Sequence, residues 1–546
     1  MASSDIHASA GATPLEAVIG AIKAKDMDLA KRLAGEALST GVEHPLLLNL
    51  RALVYEEAEN FEAALKDLRR AHFLAPRDYA ILNACGLCLA RLERPEEAQQ
   101  CYERALAIQP NFGPGWFNLA SAWERLGEKA KAADAYVTAT NLNPENVQAW
   151  SNLAHLAARR GDAAGAREFA DRALALHPGF PPALLALAES ELAEPARAEA
   201  RLRGLLAGQL GDYDRGVTLG LLADALDALD RPAEAFDAYV EANRRLRDEA
   251  RPRFEAPDQP TVATSLAWLI DWARALDPER WRVGANPVSQ RDDIRGHVFL
   301  MGFPRSGTTL METVLANHPD VVSLEERNTL TAGVIEFMSD APSLNQLATL
   351  SDVTLDSFRG DYWARVKQYG VDVAGKVFID KNPFNVVRLP LIYKLFPNAR
   401  IIFAVRDPRD VVLSCFRRRF TLNSSTYELL ELDRAAAYYA GTMQLAEILR
   451  VKQPMAEHRL VYEGLVADFE TESKAACAFI GVDWRPELID VAGRARRGQV
   501  ASASSAQIAR GLYTDGAGQW RRYRTQLAPV LPLLTPWIER FGYPAD

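Results

Sequence analysis

The sequence predicts an α-helical solenoid followed by an α/β domain with a mostly parallel central sheet. Three observations carry that reading. Prolines at 76, 110, 144 and 178 recur every 34 residues through the first half. The second half opens on HVFLMGFPRSGTTLMETVLANHP, an apolar run, a glycine-bounded loop and a helical stretch. The runs KVFID, IIFAV and RLVY then alternate with helical segments, the pattern of strands joined by crossovers.

The 34-residue period holds at other positions. Ala64, Ala98, Ala132 and Ala166 share one register, Ala71, Ala105, Ala139 and Ala173 a second, and Ala52, Gly86, Ala120 and Ala154 a third. Small residues at fixed spacing suit helices that cross closely, and turn signals such as RLERPEEA and RLGEKAKA separate the apolar runs. The repeated helix-turn-helix resembles the tetratricopeptide repeat (TPR), whose stacked units bury one continuous core. Phased units cover about 43–178, and a divergent one starts at Asp212 with Ala223, Ala235 and Ala242 in the small positions. The stretches 13–42 and 179–211 read as hairpins in weaker register. The whole of 13–246 is the expected TPR-like domain, a surface for an acceptor or partner or a structural arm. Trp116 and Trp150 share a register and are expected to pack rather than clamp a peptide.

Prolines and charge break the helical rhythm in RDEARPRFEAPDQP, and TVATSLAWLIDWARAL follows as an amphipathic joining helix. The joining region is placed at 247–294 and the transferase-type domain at 295–546.

Composition sets outer limits. Lys and Arg number 63 against 72 Asp and Glu, a net charge of −9 over 546 residues, which excludes the overall basic signature of a general nucleic-acid binder but not a local anion pocket. Five scattered cysteines argue against a disulfide scaffold, and Cys85 and Cys88 form a CxxC with no second ligand pair, so no metal is expected. No stretch reaches the roughly 20 apolar residues of a membrane span, and a soluble cytoplasmic protein is the expectation.

The loop Gly302–Gly307 lies between a strand at His297–Met301 and a helix from Thr308. Backbone N–H groups at such a loop face an anion, and Arg305, Ser306, Gly307, Thr308 and Thr309 add donors. Against the nucleotide-loop pattern GxxxxGK[ST], Thr308 stands where the lysine belongs, which counts against an ATPase or GTPase. Downstream, HPDVVSLEE carries Glu325 and Glu326, one of which near an anion loop can act as a general base. Lys381 and Arg406 fall at strand ends, where ligands gather in α/β sheets. Ser414 and Arg418, four apart, read as one helix face around a second phosphate, while Arg417 and Arg419 need not point inward.

Together GFPRSGTT, HPDVVSLEE, IDKNPF and VRDPRDVVLSCFRRRF resemble a sulfotransferase domain, nearest the protein-tyrosine sulfotransferase branch. The repeat-plus-transferase order resembles bacterial tetratricopeptide-repeat sulfotransferases. The resemblance implies transfer of a sulfuryl group from 3′-phosphoadenosine 5′-phosphosulfate (PAPS) to a hydroxyl acceptor, tyrosyl hydroxyls included. Its product would be the 3′,5′-bisphosphate PAP. The resemblance further implies that Arg305 to Thr309 hold the 5′-phosphosulfate, that Arg406, Ser414 and Arg418 hold the 3′-phosphate, and that Tyr462 and Ser505 contact the nucleotide. Glu326 matches the base, with Arg305 and Lys381 neutralising charge on the transferring group; His318 matches no catalytic residue. Gln519 stands where the tyrosine-modifying branch has lysine, which weakens a tyrosine acceptor; Arg510, Arg521 or Arg522 could replace that charge. The alternatives are another loop-based transferase or kinase and a noncatalytic interaction scaffold.

Overall fold

The computed structural model describes residues 13–160, 162–191, 194–256, 260–281, 291, 293–490 and 516–545. The chain forms two compact units, Met1–Ala193 and Glu194–Asp546.

The first unit is a stack of helical pairs. Pro45–Glu57 pairs with Phe61–Leu74, Tyr79–Arg91 with Pro95–Ile108, Gly113–Arg125 with Lys129–Leu142, and Val147–Arg159 with Ala163–Leu176. The alanine registers explain the pairing: Ala64, Ala98, Ala132 and Ala166 are all 0% exposed, as are Ala71, Ala105, Ala139 and Ala173. A Cβ at Gly86 would lie 2.4 Å from the buried Tyr102 ring, so only glycine leaves room for that ring against the helix backbone. Trp116 and Trp150 are packing residues, each donating its indole N–H at 2.8 Å to the carbonyl of the proline six positions earlier. Left-handed residues shape the turns inside the described pairs: Lys25, Glu59 and Glu93 adopt positive φ at the same spacing as Gly127. Lys25 therefore puts the hairpin Pro14–Lys23 and Met27–Ser39 in phase with the repeats, in stronger register than its sequence suggests.

The second unit is built on a five-stranded parallel sheet in the order β2-β3-β1-β4-β5. The strands are β1 (Gly296–Gly302), β2 (Val321–Glu325), β3 (Val377–Lys381), β4 (Arg400–Val405) and β5 (Ala456–Val461). Successive side chains on a strand face opposite sides, and both faces here are covered. Val298 and Leu300 pack with Met311 and Val314 of the helix Thr308–Ala316 and with Cys477 of the helix Phe469–Ile480. Phe299 and Met301 pack with the helices Asp352–Gln368, Leu389–Leu395 and Leu432–Lys452 on the other side. The joining helix Val262–Ala275 belongs to that same core, with Leu266 against Gly441. The helices Asp212–Ala228 and Pro232–Phe254, which continue the repeat pattern in sequence, also pack inside this unit. The chain leaves β1 for the β2 edge, returns through β3 and crosses to β4. That reversal opens a crevice at the carboxyl ends of the central strands.

Candidate functional site

Every strand delivers a candidate residue to its carboxyl end. Gly302 closes β1 and starts the loop; a Cβ there would lie 2.5 Å from the Ala404 carbonyl, so only glycine lets β1 run this close to β4. Gly307 sits at φ 99° as the N-cap of Thr308–Ala316, and no side chain caps that helix. The first N–H groups of the helix thus face the crevice end as anion donors. Ser306, Thr308 and Thr309 are all buried around them. Arg305 holds φ at 71°, a left-handed strain that persists where surrounding structure over-determines a residue. Its Nε donates to Ser414 Oγ at 3.1 Å, which joins the loop to the helix Pro408–Arg417.

Glu325 ends β2, and Glu326 follows it at φ 48° with its N–H donated at 2.7 Å to the Lys381 carbonyl. Lys381 is the last residue of β3 and is fully buried. Its Nζ lies 2.7 Å from Glu326 Oε1, 3.2 Å from Glu325 Oε1, 3.5 Å from Glu312 Oε2 and 3.5 Å from Thr309 Oγ1. Burial pulls Lys381 down, and Glu312, Glu325 and Glu326 outweigh it, holding the ammonium above the ordinary lysine value. A neighbouring strand thus brings a buried cation to the first turn of the loop's helix at Thr309. The sequence reading passed over Glu312; its signal was a carboxylate three residues after Thr309 on one helix face.

Arg406 follows β4 and is buried. It donates at 2.9 Å to the Arg305 carbonyl and also to the Gly516 carbonyl, with its guanidinium 4.7 Å from the Tyr462 ring centre. Its buried Nε has no partner among the described residues, a donor suited to an incoming anion. Tyr462, the first residue after β5, is buried; a Cβ on Gly307 would lie 2.8 Å from its ring and one on Gly516 2.4 Å from its hydroxyl. Arg305, Ser414, Arg406, Tyr462 and the loop are thus gathered into one cluster, and Lys381, Glu326 and Thr309 into an adjoining one.

Arg418 differs from expectation. The helix ends at Arg417 and Arg418 adopts an extended backbone, so Ser414 and Arg418 do not share a helix face. Gln519 opens the short helix Gln519–Tyr523, held where Asp410 accepts the Gly518 and Trp520 N–H groups at 2.6 and 2.8 Å. Arg522 is engaged by Asp227 and Asp230 and does not replace the missing lysine charge. Arg521 lies 5.1 Å over the Trp520 ring. Ser505 and Arg510 lie outside the described residues. His318 is buried just past the far end of the loop's helix, its Nδ1 accepting the Asp320 N–H at 3.1 Å.

On the opposite face of β3, Asp380 accepts from Thr329 Oγ1 at 2.7 Å and Tyr362 at 2.9 Å, and His297 Nε2 lies 2.8 Å from that tyrosine hydroxyl. This buried chain anchors the segment that follows Glu326. Burial pushes Asp380 up to about 6 and His297 down to about 3. The stability contribution of Asp380 is present below its unfolded value of 3.8 and is lost as pH rises through about 6. That of His297 is present above its unfolded value of 6.5 and is lost as pH falls toward about 3. The two oppose each other between about pH 4 and 6. Asp380→Asn is expected to unmask the histidine, giving a loss of about 1.4 kcal/mol per pH unit on acidification across that window. Urea midpoints at both ends measure it; the same pH slope in wild type and variant would refute it.

Residues 297–486 match the family model described as "Sulfotransferase family", and 79–112 and 117–181 match tetratricopeptide repeat models. An uncharacterized protein of Aquifex aeolicus (strain VF5) is 24% identical over 57% of this chain, and the match spans only 40% of that protein. Protein-tyrosine sulfotransferase 1 of Danio rerio is 26% identical over 45% of this chain and 72% of its own length. Protein-tyrosine sulfotransferase 1 of Homo sapiens is 32% identical over 23% of this chain and 35% of its own.

Proposed function

We propose, from a chain that joins tetratricopeptide repeats to a sulfotransferase domain, that it moves a sulfuryl group from PAPS to a hydroxyl acceptor. The observation that carries the reading is Lys381, whose Nζ bridges the anion loop at Thr309 and the carboxylate of Glu326. Donor loop and base are then one cation apart, near enough to act on the same acceptor oxygen and sulfuryl group.

The donor's anionic groups fit the residues present. The loop from Arg305 to Thr309 would take the 5′-phosphosulfate. Arg406, whose Nε is unpaired among the described residues, Ser414 and Arg418 would take the 3′-phosphate, with Tyr462 beside the nucleotide. The acceptor oxygen forms a bond to sulfur as the bond from sulfur to the bridging phosphate oxygen breaks. Glu326 takes the acceptor proton, and PAP leaves with the bridging oxygen. Arg305 and Lys381 offset the charge that develops on the sulfuryl oxygens and the leaving oxygen. No step calls for a metal. The repeats recruit or orient the acceptor or its partner.

Incubation with labelled PAPS and a lysate, followed by mass spectrometry of labelled products, tests the reading. Label covalently carried by an acceptor is expected. Tight PAP binding with no transfer to any acceptor would contradict it and favour a noncatalytic scaffold.

A further inference from the structure

The helix Asp212–Ala228 reads as part of a repeat, yet its acidic side chains reach the donor site's supports. Asp227 pairs with Arg417 through one carboxylate oxygen. Its other oxygen accepts from Arg522 at 2.7 Å and from the Tyr523 hydroxyl at 2.6 Å. One turn earlier, Asp224 pairs with Arg419 and accepts from the Tyr239 hydroxyl at 2.6 Å. Asn243, on the partner helix Pro232–Phe254, donates at 2.8 Å to the Phe416 carbonyl, and Arg419 lies across Gly220. Arg417 is part-buried; burial pulls it down and Tyr239 and Asp227 outweigh that, holding it above the ordinary value.

The run Arg417-Arg418-Arg419 thereby acquires an internal division of labour. Its outer members are both drawn to one helix. The middle residue leaves the helix on an extended backbone, between two neighbours that are each held by a carboxylate. The same helix also fixes, through Arg522 and Tyr523, the segment whose Gly516 carbonyl holds Arg406. Both arginines assigned to the 3′-phosphate are thus supported from one pair of carboxylates.

We infer that Asp224 and Asp227 are positioning residues for 3′-phosphate recognition, acting through Arg417 and Arg419 to aim Arg418 and through Arg522 to steady Arg406. The inference rests on the donor reading above. It makes this helix part of the donor site and not of an acceptor-binding repeat surface.

Calorimetric titration of the full chain with PAP and with adenosine 5′-monophosphate, which lacks the 3′-phosphate, tests it. In Asp227→Asn, PAP affinity is expected to fall about 10-fold, with the monophosphate changed less than about 2-fold. Asp224→Asn, whose carboxylate is 43% exposed and costs little to alter, is expected to show the same selective loss to a smaller degree. In transfer assays the donor KM should rise with kcat little changed, since no altered group touches the reacting sulfur. Unchanged PAP affinity in both variants, or equal losses for the two nucleotides, would overturn the inference and leave the donor reading standing. Failure of the wild type to bind PAP would overturn the donor reading, and this inference with it.

Discussion

Glu326→Gln is expected to lower sulfuryl transfer by at least about 100-fold while PAP affinity stays within about 2-fold. The amide keeps a hydrogen-bond acceptor for Lys381 but cannot take the acceptor proton. Lys381 remains compensated by Glu312 and Glu325, at 3.5 and 3.2 Å, so the substitution strands no buried charge. Glu325→Gln is the matched comparison. Both carboxylates touch the same ammonium, but the Glu326 side chain is 47% exposed against 17% for Glu325, which leaves Glu326 the one an acceptor can reach. Glu325→Gln is therefore expected to retain most of the activity. Initial rates with labelled PAPS measure both; a larger loss in Glu325→Gln would exchange their roles.

A chain starting at Glu194 is expected to fold and bind PAP, whereas one starting at 247 is expected to lose both. The second cut removes Asp224, Asp227, Phe236, Tyr239 and Asn243 together. It leaves Arg417 and Arg419 without their carboxylates, and Phe416 without its ring contact to Phe236, 5.4 Å between centroids. Each of these part-exposed pairs contributes less than the about 3–5 kcal/mol of a fully buried one, but the cut removes both together with the Phe236 ring, against a total stability of about 5–15 kcal/mol for a typical protein. Thermal melts and limited proteolysis of the two truncations decide the matter. A stable, PAP-binding fragment from 247 onward would show that the hairpin contacts carry little energy. Loss of transfer to a protein acceptor in the Glu194 fragment, with PAP binding kept, is the expected signature of repeats that recruit the acceptor.

Local pattern made much of the architecture legible. The 34-residue alanine registers are also the zero-exposure positions, because small residues are what close helix crossing demands. The strand-end logic likewise put Lys381 and Arg406 at the carboxyl ends of β3 and β4, where the parallel sheet does carry them, whereas Tyr462 was reached only through the family resemblance. Residues whose meaning depends on distant partners were not legible. Ala223, Ala235 and Ala242 keep the repeat pattern and are almost fully buried, but Asp224 and Asp227 on the same hairpin pair with arginines about 190 positions later. Glu312 is the one charged residue of the helix Thr308–Ala316, and its role emerges only when β3 brings Lys381 beside it. Helical spacing misled at Arg418 because the helix stops one residue earlier. The net charge of −9 belongs to the whole surface, and Arg305 and Arg406 still meet at one edge of the sheet.

The most direct measurement is calorimetric titration of the full chain with PAP, set beside ATP with Mg²⁺. PAP is expected to bind at micromolar concentration or tighter, and Arg406→Ala to weaken it by at least about 10-fold, the loss of one charge-assisted contact. ATP with Mg²⁺ should bind far more weakly, since Thr308 stands where a nucleotide loop carries lysine. Binding of ATP with Mg²⁺ in preference to PAP would contradict the assignment of this site to a sulfuryl donor.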